Sequence, residues 1–123
     1  MSPLTISDSI PLFMDGSPLT GFLHYRRHDP YVVRLDVPGF MDRINVLRDS
    51  LCTGQNRPVD DEYIQIQPYI EDLDWIRITL RNVGPEPLVL WAERKSLGSS
   101  LARTYEMVPR GFELLWDGFP CLE

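Results

Sequence analysis

The sequence predicts an α+β fold in which a curled antiparallel β-sheet carries two helices. Residues 31–37 and 75–81 alternate apolar and polar side chains with a period of two, which is typical of strands that bury one face. Residues 44–51 and 90–97 resemble each other, since each runs from an extended apolar stretch into a charged helix start. The chain therefore divides into two strand-rich halves that each end in a helix, a pseudo-repeat in which the helices pack on sheet.

The first half is expected to contain three strands and a short fourth, at residues 4–14, 19–25, 31–37 and 43–46. The connections between these strands are expected at 15–18, 26–30 and 38–39. Pro11 lies in the first strand, which predicts a sheet edge there because proline cannot donate a hydrogen bond to a ladder. The last strand passes directly into a helix over residues 47–53, and Gly54 is expected to stop it.

The second half is expected to contain strands at 63–67, 75–81 and 88–91, with a polar loop at 57–62 and a turn at 83–87. A longer helix is predicted over residues 92–107, because Leu97, Leu101 and Tyr105 recur on one helical face. The tail, residues 112–123, carries four large apolar side chains: Leu114, Leu115, Trp116 and Phe119. We expect this tail to pack on the body or on a neighbouring subunit.

Length and charge limit the possible functions. A chain of 123 residues fits a single domain over 1–123, and 43% hydrophobic residues are enough for a folded core. The net charge of -6 disfavours non-specific binding to the phosphate backbone of nucleic acids, because such binding depends on clustered Lys and Arg. Nucleic acid is therefore an improbable partner.

The two cysteines and the N-terminus predict a cytoplasmic protein. Cys52 and Cys121 lie far apart in the sequence with no second pair, so we expect reduced thiols. Residues 1–15 are interrupted by prolines and aspartates and do not form the apolar core of a signal peptide. No apolar run reaches the length that a membrane-spanning helix needs, so no membrane insertion is expected.

Candidate metal ligands do not have a suitable spacing. His24 and His28 are four residues apart, which places them on one face only in a helix, and Pro30 and the strand pattern argue against a helix. Asp60, Asp61 and Glu62 form an acidic run, but the spacing of a calcium loop is absent. We expect surface histidines and a solvated loop, and no metal or other cofactor.

Catalytic signatures are also missing from the sequence. A nucleophile would need Ser or Cys held against one of the two histidines, and nothing local places one there. Gly84, Gly98 and Gly111 are isolated, so there is no glycine-rich phosphate loop. The residues therefore predict a non-enzymatic interaction protein whose sheet surfaces and aromatic tail bind other proteins.

Three segments, at 25–33, 48–68 and 101–113, resemble the motifs of the SsgA-like proteins of filamentous actinomycetes. The resemblance covers residues 17–113. The matching motif residues are Asp29, Pro30, Tyr31, Arg48, Asp49, Leu51, Gly54, Pro58, Pro68, Arg103, Thr104, Tyr105, Val108 and Pro109. The chain departs from the family pattern at Arg26, Ile44 and Val46, and Asp60, Glu62 and Tyr63 replace a glycine-containing loop. It is therefore identified as a divergent member, in which that loop need not bind what it binds in close relatives.

The resemblance implies a regulator of sporulation-specific cell division that acts at septum sites. The implied activities are recruitment of the tubulin-like FtsZ, or of an SsgA-like paralogue, and guidance of septal peptidoglycan remodelling without catalysis. The family fold is similar to the Whirly architecture and to SsgB, and implies a homo-oligomer, expected to be a trimer. Whirly proteins bind single-stranded nucleic acid, which is the alternative function; Tyr63, Tyr69, Trp75 and Trp91 would then be the stacking residues.

Overall fold

Eight strands and two α-helices make up the part of the chain that the structure describes. The structure, a computed structural model, describes residues 5–39, 41–81 and 83–117, without the side chains of 41–43. The strands are β1 (Thr5–Met14), β2 (Ser17–Arg26), β3 (Val32–Val37), β4 (Met41–Leu47), β5 (Val59–Asp60), β6 (Ile64–Pro68), β7 (Trp75–Leu80) and β8 (Leu88–Glu93). The helices are α1 (Arg48–Gly54) and α2 (Arg94–Met107), and a 3-10 turn follows at Glu113–Leu115. The expected α+β class is confirmed.

All strands form one curled antiparallel sheet in the order β4-β3-β2-β1-β8-β7-β6-β5. The order shows two four-stranded meanders that follow each other in the same direction, so that β4 with α1 corresponds to β8 with α2. The meanders are joined by a short ladder between β1 and β8, in which Leu12 pairs with Ala92 and Phe13 with Trp91. The pseudo-repeat is therefore a repeat of the fold as well as of the sequence.

The two helices begin in the same way. Each starts at an arginine after a residue in extended conformation, Leu47 before α1 and Glu93 before α2. The backbone N–H of Arg48 donates to the carbonyl of Tyr31 at 2.8 Å, and that of Arg94 donates to the carbonyl of Asp74, also at 2.8 Å. Both acceptors immediately precede a strand, so a loop carbonyl takes the place of the side-chain cap that is absent from both helices.

The core lies between the sheet and the helices. Alternate strand residues face inward, and Tyr25, Val33 and Val46 are aligned in one row across β2, β3 and β4. Leu51 of α1 and Leu97 and Leu101 of α2 close this core, and all three are buried. Helix α1 follows β4 in the first half but packs on β5 and β6 of the second, so it connects the two ends of the sheet.

The expectation of an edge strand at residues 4–14 is wrong. Strand β1 lies in the middle of the sheet, between β2 and β8. Pro11 pairs with Thr20 of β2 but has no partner in β8, because that ladder includes only Leu12 and Phe13. The missing N–H of Pro11 therefore removes no hydrogen bond from the ladder between β1 and β8. The edge strands of the sheet are β4 and β5.

Several element boundaries also differ from the expectations. The polar loop at 57–62 contains the short strand β5, and α2 begins at Arg94 because Ala92 and Glu93 continue β8. Gly54 is the last residue of α1 and does not stop it by adopting a left-handed conformation. A Cβ on Gly54 would lie 2.2 Å from Cγ2 of Ile66, so glycine is required there by the close approach of α1 to β6.

The first turn is shorter than expected. It consists of Asp15 and Gly16, with φ values of 51° and 75°, and Met14 pairs directly with Ser17. Two central residues with positive φ make the two-residue hairpin that matches strand twist. Asp-Gly is one of the pairs that favour this geometry.

Candidate functional site: a buried arginine that joins the motifs

Arg48 is the residue at which the motif segments meet. Its side chain is only 1% exposed, although it is the first residue of α1. The Nη1 atom donates to the carbonyls of Thr104 at 3.0 Å and of Val108 at 2.8 Å. These carbonyls lie at the C-terminal end of α2, where the helix dipole favours a cation, and that of Thr104 also accepts the backbone N–H of Val108 at 2.9 Å. Arg48 therefore ties the start of one helix to the end of the other.

Two tyrosine rings flank the guanidinium of Arg48. Its central carbon lies 4.0 Å from the centre of the Tyr105 ring and 5.2 Å from that of Tyr25, within the range of cation–π attraction. The hydroxyl of Tyr25 donates to the carbonyl of Pro30 at 2.9 Å. Burial raises the pKa of Tyr25 to about 12, so this phenol is neutral when it donates.

A buried carboxylate from the tail compensates the charge of Arg48. An Oε2 atom of Glu113 lies 3.7 Å from Nη2 of Arg48, and both side chains are almost fully buried. The other oxygen of Glu113 accepts the backbone N–H of Gly111 at 2.5 Å. Gly111 has a φ of 93°, a left-handed conformation that suits glycine, and this conformation turns the chain back toward Arg48. The start of the tail is thus docked on the body.

A second, more exposed layer surrounds this pair. The hydroxyl of Tyr105 donates to Oδ1 of Asp49 at 2.5 Å. The Nη2 atom of Arg110 lies 3.2 Å from the Tyr105 hydroxyl and 3.7 Å from Oδ1 of Asp49. Burial raises the pKa of Tyr105 above its ordinary value, and the hydrogen bond to Asp49 is the second largest cause of this increase. The layer links α1, α2 and the tail.

The structure brings half of the motif residues into this cluster. They are Pro30, Tyr31, Arg48, Asp49, Thr104, Tyr105 and Val108. Leu51 and Gly54 instead pack α1 on the core, and Pro68 ends β6. Asp29, Pro58 and Pro109 lie in connections next to strands or helix ends. Arg103 points elsewhere and pairs with Asp8 of β1 at 2.5 Å.

Sequence reasoning missed three members of the cluster as site residues. Tyr25, Arg110 and Glu113 contribute a ring, a cation and a carboxylate. The signal for two of them was their place in the motif segments, since Tyr25 is the first residue of 25–33 and Glu113 the last of 101–113. Arg110 is exposed, and nothing in its neighbours separates it from an ordinary surface arginine.

The fold also places a serine against a histidine, which the sequence did not indicate. Ser7 Oγ lies 2.8 Å from Nδ1 of His24, and Nε2 of His24 lies 3.1 Å from Oδ2 of Asp36. Pairing of β1 with β2 and of β2 with β3 produces this arrangement. A hydrolytic triad binds serine through Nε2 and the carboxylate through Nδ1, the reverse of the order found here. The contacts act as a polar link across three strands on the outer face of the sheet.

Three of the four proposed stacking aromatics, Tyr69, Trp75 and Trp91, pack against other aromatic rings. Trp75 meets Phe13 edge to face at 5.0 Å between ring centres, and Trp91 meets Tyr69 in the same manner at 6.3 Å. Such T-shaped contacts are the usual mode of aromatic packing in sheets. Tyr63 is not in this group and lies exposed at the opposite end of the half.

The acidic run at 60–62 is held by local contacts. Arg81 donates from Nη1 to Oδ1 of Asp60 at 2.5 Å. Oδ1 of Asp61 accepts the backbone N–H groups of Tyr63 and Ile64 at 2.7 and 2.9 Å. Asp61 therefore shapes the turn into β6. Within the described ranges, no group of three His, Cys, Asp or Glu side chains is arranged to hold a metal.

The tail is partly packed and partly exposed. Trp116 packs against the core, with the guanidinium of Arg27 4.1 Å from its ring centre. Phe112, Leu114 and Leu115 are 53%, 78% and 64% exposed. Among the described tail residues, 112–117, the expected packing on the body thus holds for Glu113 and Trp116. Phe119 lies outside the described residues.

Two further expectations concern Cys52 and membrane insertion. Cys52 is a half-buried free cysteine, and Cys121 lies outside the described residues. None of the helices in the described part of the chain is both long and apolar enough to span a membrane.

Comparisons with known proteins agree on one family. A model of the family described as "Streptomyces sporulation and cell division protein, SsgA" matches residues 19–113. The structure is similar to that of SsgB of Streptomyces coelicolor, a protein in which mutations correlate with longitudinal cell division during sporulation, with a TM-score of 0.79 and 27% identity. That match covers 89% of this chain and 91% of SsgB. No curated protein matches the sequence.

A second solved structure shows the same likeness. It is an SsgA-like sporulation-specific cell division protein from Thermobifida fusca, with a TM-score of 0.80 and 27% identity. The match covers 94% of this chain and 91% of that protein. The likeness therefore extends over both strand-rich halves and both helices.

Proposed function

Because this chain belongs to the SsgA family of sporulation and cell division proteins, we propose that it regulates sporulation-specific division through protein contacts at the septum. Its partners in this proposal are divisome proteins, either FtsZ or an SsgA-like paralogue, which it meets from the cytoplasm. It helps to recruit them and to guide septal peptidoglycan remodelling. It performs no catalysis, consistent with the reversed order of contacts around His24.

One observation carries the protein-contact part of the proposal. The motif cluster around Arg48 holds the tail in place through Glu113, and Trp116 anchors it again three residues later. Between these two anchors, the side chains of Leu114 and Leu115 are exposed. Apolar side chains presented on a fixed backbone lose little conformational entropy on binding, which favours a partner surface.

Imaging a fluorescent fusion in sporulating Streptomyces hyphae tests the site of action. We expect regularly spaced bands at septa for the unchanged protein. The variant L114E/L115E should lose these bands, because two charges in an apolar contact are not tolerated. Ile70→Glu is the matched control, since Ile70 is also exposed but lies in the β6–β7 connection. An even cytosolic signal of the unchanged protein throughout septation would refute the proposal.

Pelleting with polymerised FtsZ tests the partner directly. The unchanged protein and Ile70→Glu should pellet with the polymer, and L114E/L115E should bind at least about tenfold more weakly. Equal pelleting of all three proteins would remove the tail from the interface. No pelleting of any of them would point to a paralogue instead.

We also propose that the chain assembles into a homo-oligomer, as the resemblance implies. A trimer is the expected state. Sedimentation equilibrium measures the assembly mass directly, and a monomer at all tested concentrations would contradict this part of the proposal.

A single-stranded nucleic-acid module remains the second candidate. The observation that favours it is the group of Phe13, Tyr69, Trp75 and Trp91 on the outer face of the sheet, at the junction of β1 with the second half. Their edge-on contacts and the net charge of -6 disfavour stacking with bases. Filter binding with single-stranded DNA at low salt is expected to show no tight retention. Tight retention that falls steeply with salt would favour this candidate.

A further inference from the structure

A polar cavity lies on the outer face of the first half, away from the motif cluster. Its volume is about 390 Å³, and its lining side chains come from β2, β3, β4 and the β2–β3 turn: His24, Arg26, Asp29, Val32, Arg34 and Asn45. His24 pairs with Arg34, and Arg34 with Asn45, so these three form one row across the strands. The cavity is of the size that small ligands occupy.

Two of the charged side chains in this cavity have no side-chain partner among the described residues. Neither the guanidinium of Arg26 nor the carboxylate of Asp29 forms a hydrogen bond or ion pair with a side chain in the described part of the chain. They also do not pair with each other, although only two residues separate them. The cavity thus presents a free cation and a free anion at separate places on its wall.

The other charged side chains that line the cavity already take part in ion pairs. Arg34 lies 3.4 Å from Oδ2 of Asp36, which also contacts His24. Arg34 thus offers a second, weaker cation on the β3 side of the cavity. A simple anion would be attracted by Arg26 and Arg34 but repelled by Asp29 and Asp36. A simple cation would be attracted by the two aspartates and repelled by the two arginines.

We infer that this cavity binds a small zwitterion of the amino-acid or short-peptide class. The ligand carboxylate lies against Arg26 and Arg34, which match its geometry through paired N–H donors. The ligand ammonium lies against Asp29, and the amide of Asn45 is available to a peptide group. This site does not depend on the proposed role in division, because it shares no residue with the exposed tail.

A set of four probes tests the charge requirement, with 15N-labelled protein and NMR chemical-shift titration. The probes are alanyl-alanine, its N-acetyl form without the amine charge, its C-terminal amide without the carboxylate, and inorganic phosphate. We expect alanyl-alanine to produce saturable shifts at the backbone amides of His24, Arg26 and Asn45. Each blocked form and phosphate should bind at least about tenfold more weakly, because each lacks one charge-assisted contact.

Two substitutions assign the contacts to their side chains. Arg26→Gln should weaken alanyl-alanine and the N-acetyl form about tenfold and leave the amide form unchanged. Asp29→Asn should weaken alanyl-alanine and the amide form but not the N-acetyl form. Arg57→Gln and Glu86→Gln make the same charge changes outside the cavity lining, and both should bind as the unchanged protein does.

Three outcomes would overturn the inference. They are the absence of saturable shifts with alanyl-alanine, equal binding of phosphate or a blocked form, and equal effects of the cavity and control substitutions. An unchanged NMR spectrum elsewhere in each variant shows that the fold is intact. Failure here would leave the septal imaging result unaffected, so the two proposals are tested separately.

Discussion

At the scale of the residue, Arg48 shows how a charge is accommodated inside a small core. Its guanidinium satisfies two carbonyls at the end of α2 and lies between two aromatic rings. Glu113 supplies the compensating charge. A buried ion is tolerated only where such partners surround it, because desolvation is costly. The motif residues around Arg48 thus contribute contacts that stabilise the fold.

Replacement of Arg48 by methionine should therefore be strongly destabilising. Glu113 would keep a buried charge without its partner, the carbonyl of Val108 would lose the Arg48 donor, and that of Thr104 would keep only the backbone N–H of Val108. We expect the free energy of unfolding in urea to fall by about 3–5 kcal/mol.

The control for this prediction is Arg57→Met at an exposed arginine, which should change the free energy of unfolding by less than about 0.5 kcal/mol. Where Arg48→Met does not fold, Glu113→Gln provides a milder test with the same sign. Equal stability of Glu113→Gln and the unchanged protein would show that the ion pair is not needed.

The two tyrosines of the cluster predict a loss of stability at high pH. Their pKa values are raised in the folded state, that of Tyr25 to about 12, so the unfolded chain loses its phenol protons first. Stability is then fully present below pH 10 and falls as the pH rises toward 12. Tyr25 alone should contribute a slope of about 1 kcal/mol per pH unit at its steepest, near pH 11.

Urea unfolding at a series of pH values measures this slope. The variant Tyr25→Phe should show a shallower decline than the unchanged protein above pH 10. Tyr63→Phe, at an exposed tyrosine, should leave the slope unchanged. Identical slopes in all three proteins would exclude Tyr25 as the cause.

At the scale of the element, glycine has two different roles in the two helices. Gly54 allows α1 to approach β6, since a Cβ would meet Ile66 at 2.2 Å. Gly98 of α2 faces only the end of the flexible Gln55 side chain, with Oε1 at 3.0 Å from an added Cβ. The same substitution should therefore have opposite effects in the two helices.

Thermal or urea unfolding of the two alanine variants tests this difference. Gly54→Ala should destabilise by about 1–3 kcal/mol, because overpacking outweighs the better helix propensity of alanine. Gly98→Ala should be neutral or stabilise by up to about 1 kcal/mol, because helix propensity then dominates. A stabilised Gly54→Ala variant would show that α1 can move away from β6.

At the scale of the whole molecule, the two meanders are coupled at three places. The ladder between β1 and β8 is short, with two residue pairs. Helix α1 packs on the second meander, and Asp8 of β1 binds both Ser100 and Arg103 of α2. Each half thus completes its core with an element of the other.

We therefore expect both halves to unfold in one cooperative transition. In a Trp116→Phe variant, which removes the tryptophan of the tail, fluorescence of Trp75 and Trp91 reports the second half, and far-UV circular dichroism reports the whole chain. Their midpoints in urea should coincide. Separate midpoints would show that the short β1–β8 ladder does not couple the meanders.

Much of the fold could be predicted because it depends on local pattern. The period of two located β3, β6 and β7, and the similarity of 44–51 to 90–97 predicted the repeated strand-to-helix passage. The position of β1 could not be predicted, because a proline removes one donor wherever the strand lies. Only the pairing of β1 with its neighbours shows whether a hydrogen bond of the sheet is lost at Pro11.

The sequence by itself determined the fold class, the repeat and the family, because periodicity and motif spacing are properties of neighbouring residues. Tertiary structure alone decided what the motif residues do. Arg48 and Glu113 stand in the motif segments, but nothing in their local sequence predicts burial. Both are buried because helix ends and a glycine turn bring them together. The same holds for Arg26 and Asp29, whose free charges share one cavity only because β2, β3 and β4 are paired. Burial and pairing are set by contacts between distant segments, and local sequence carries little information about them.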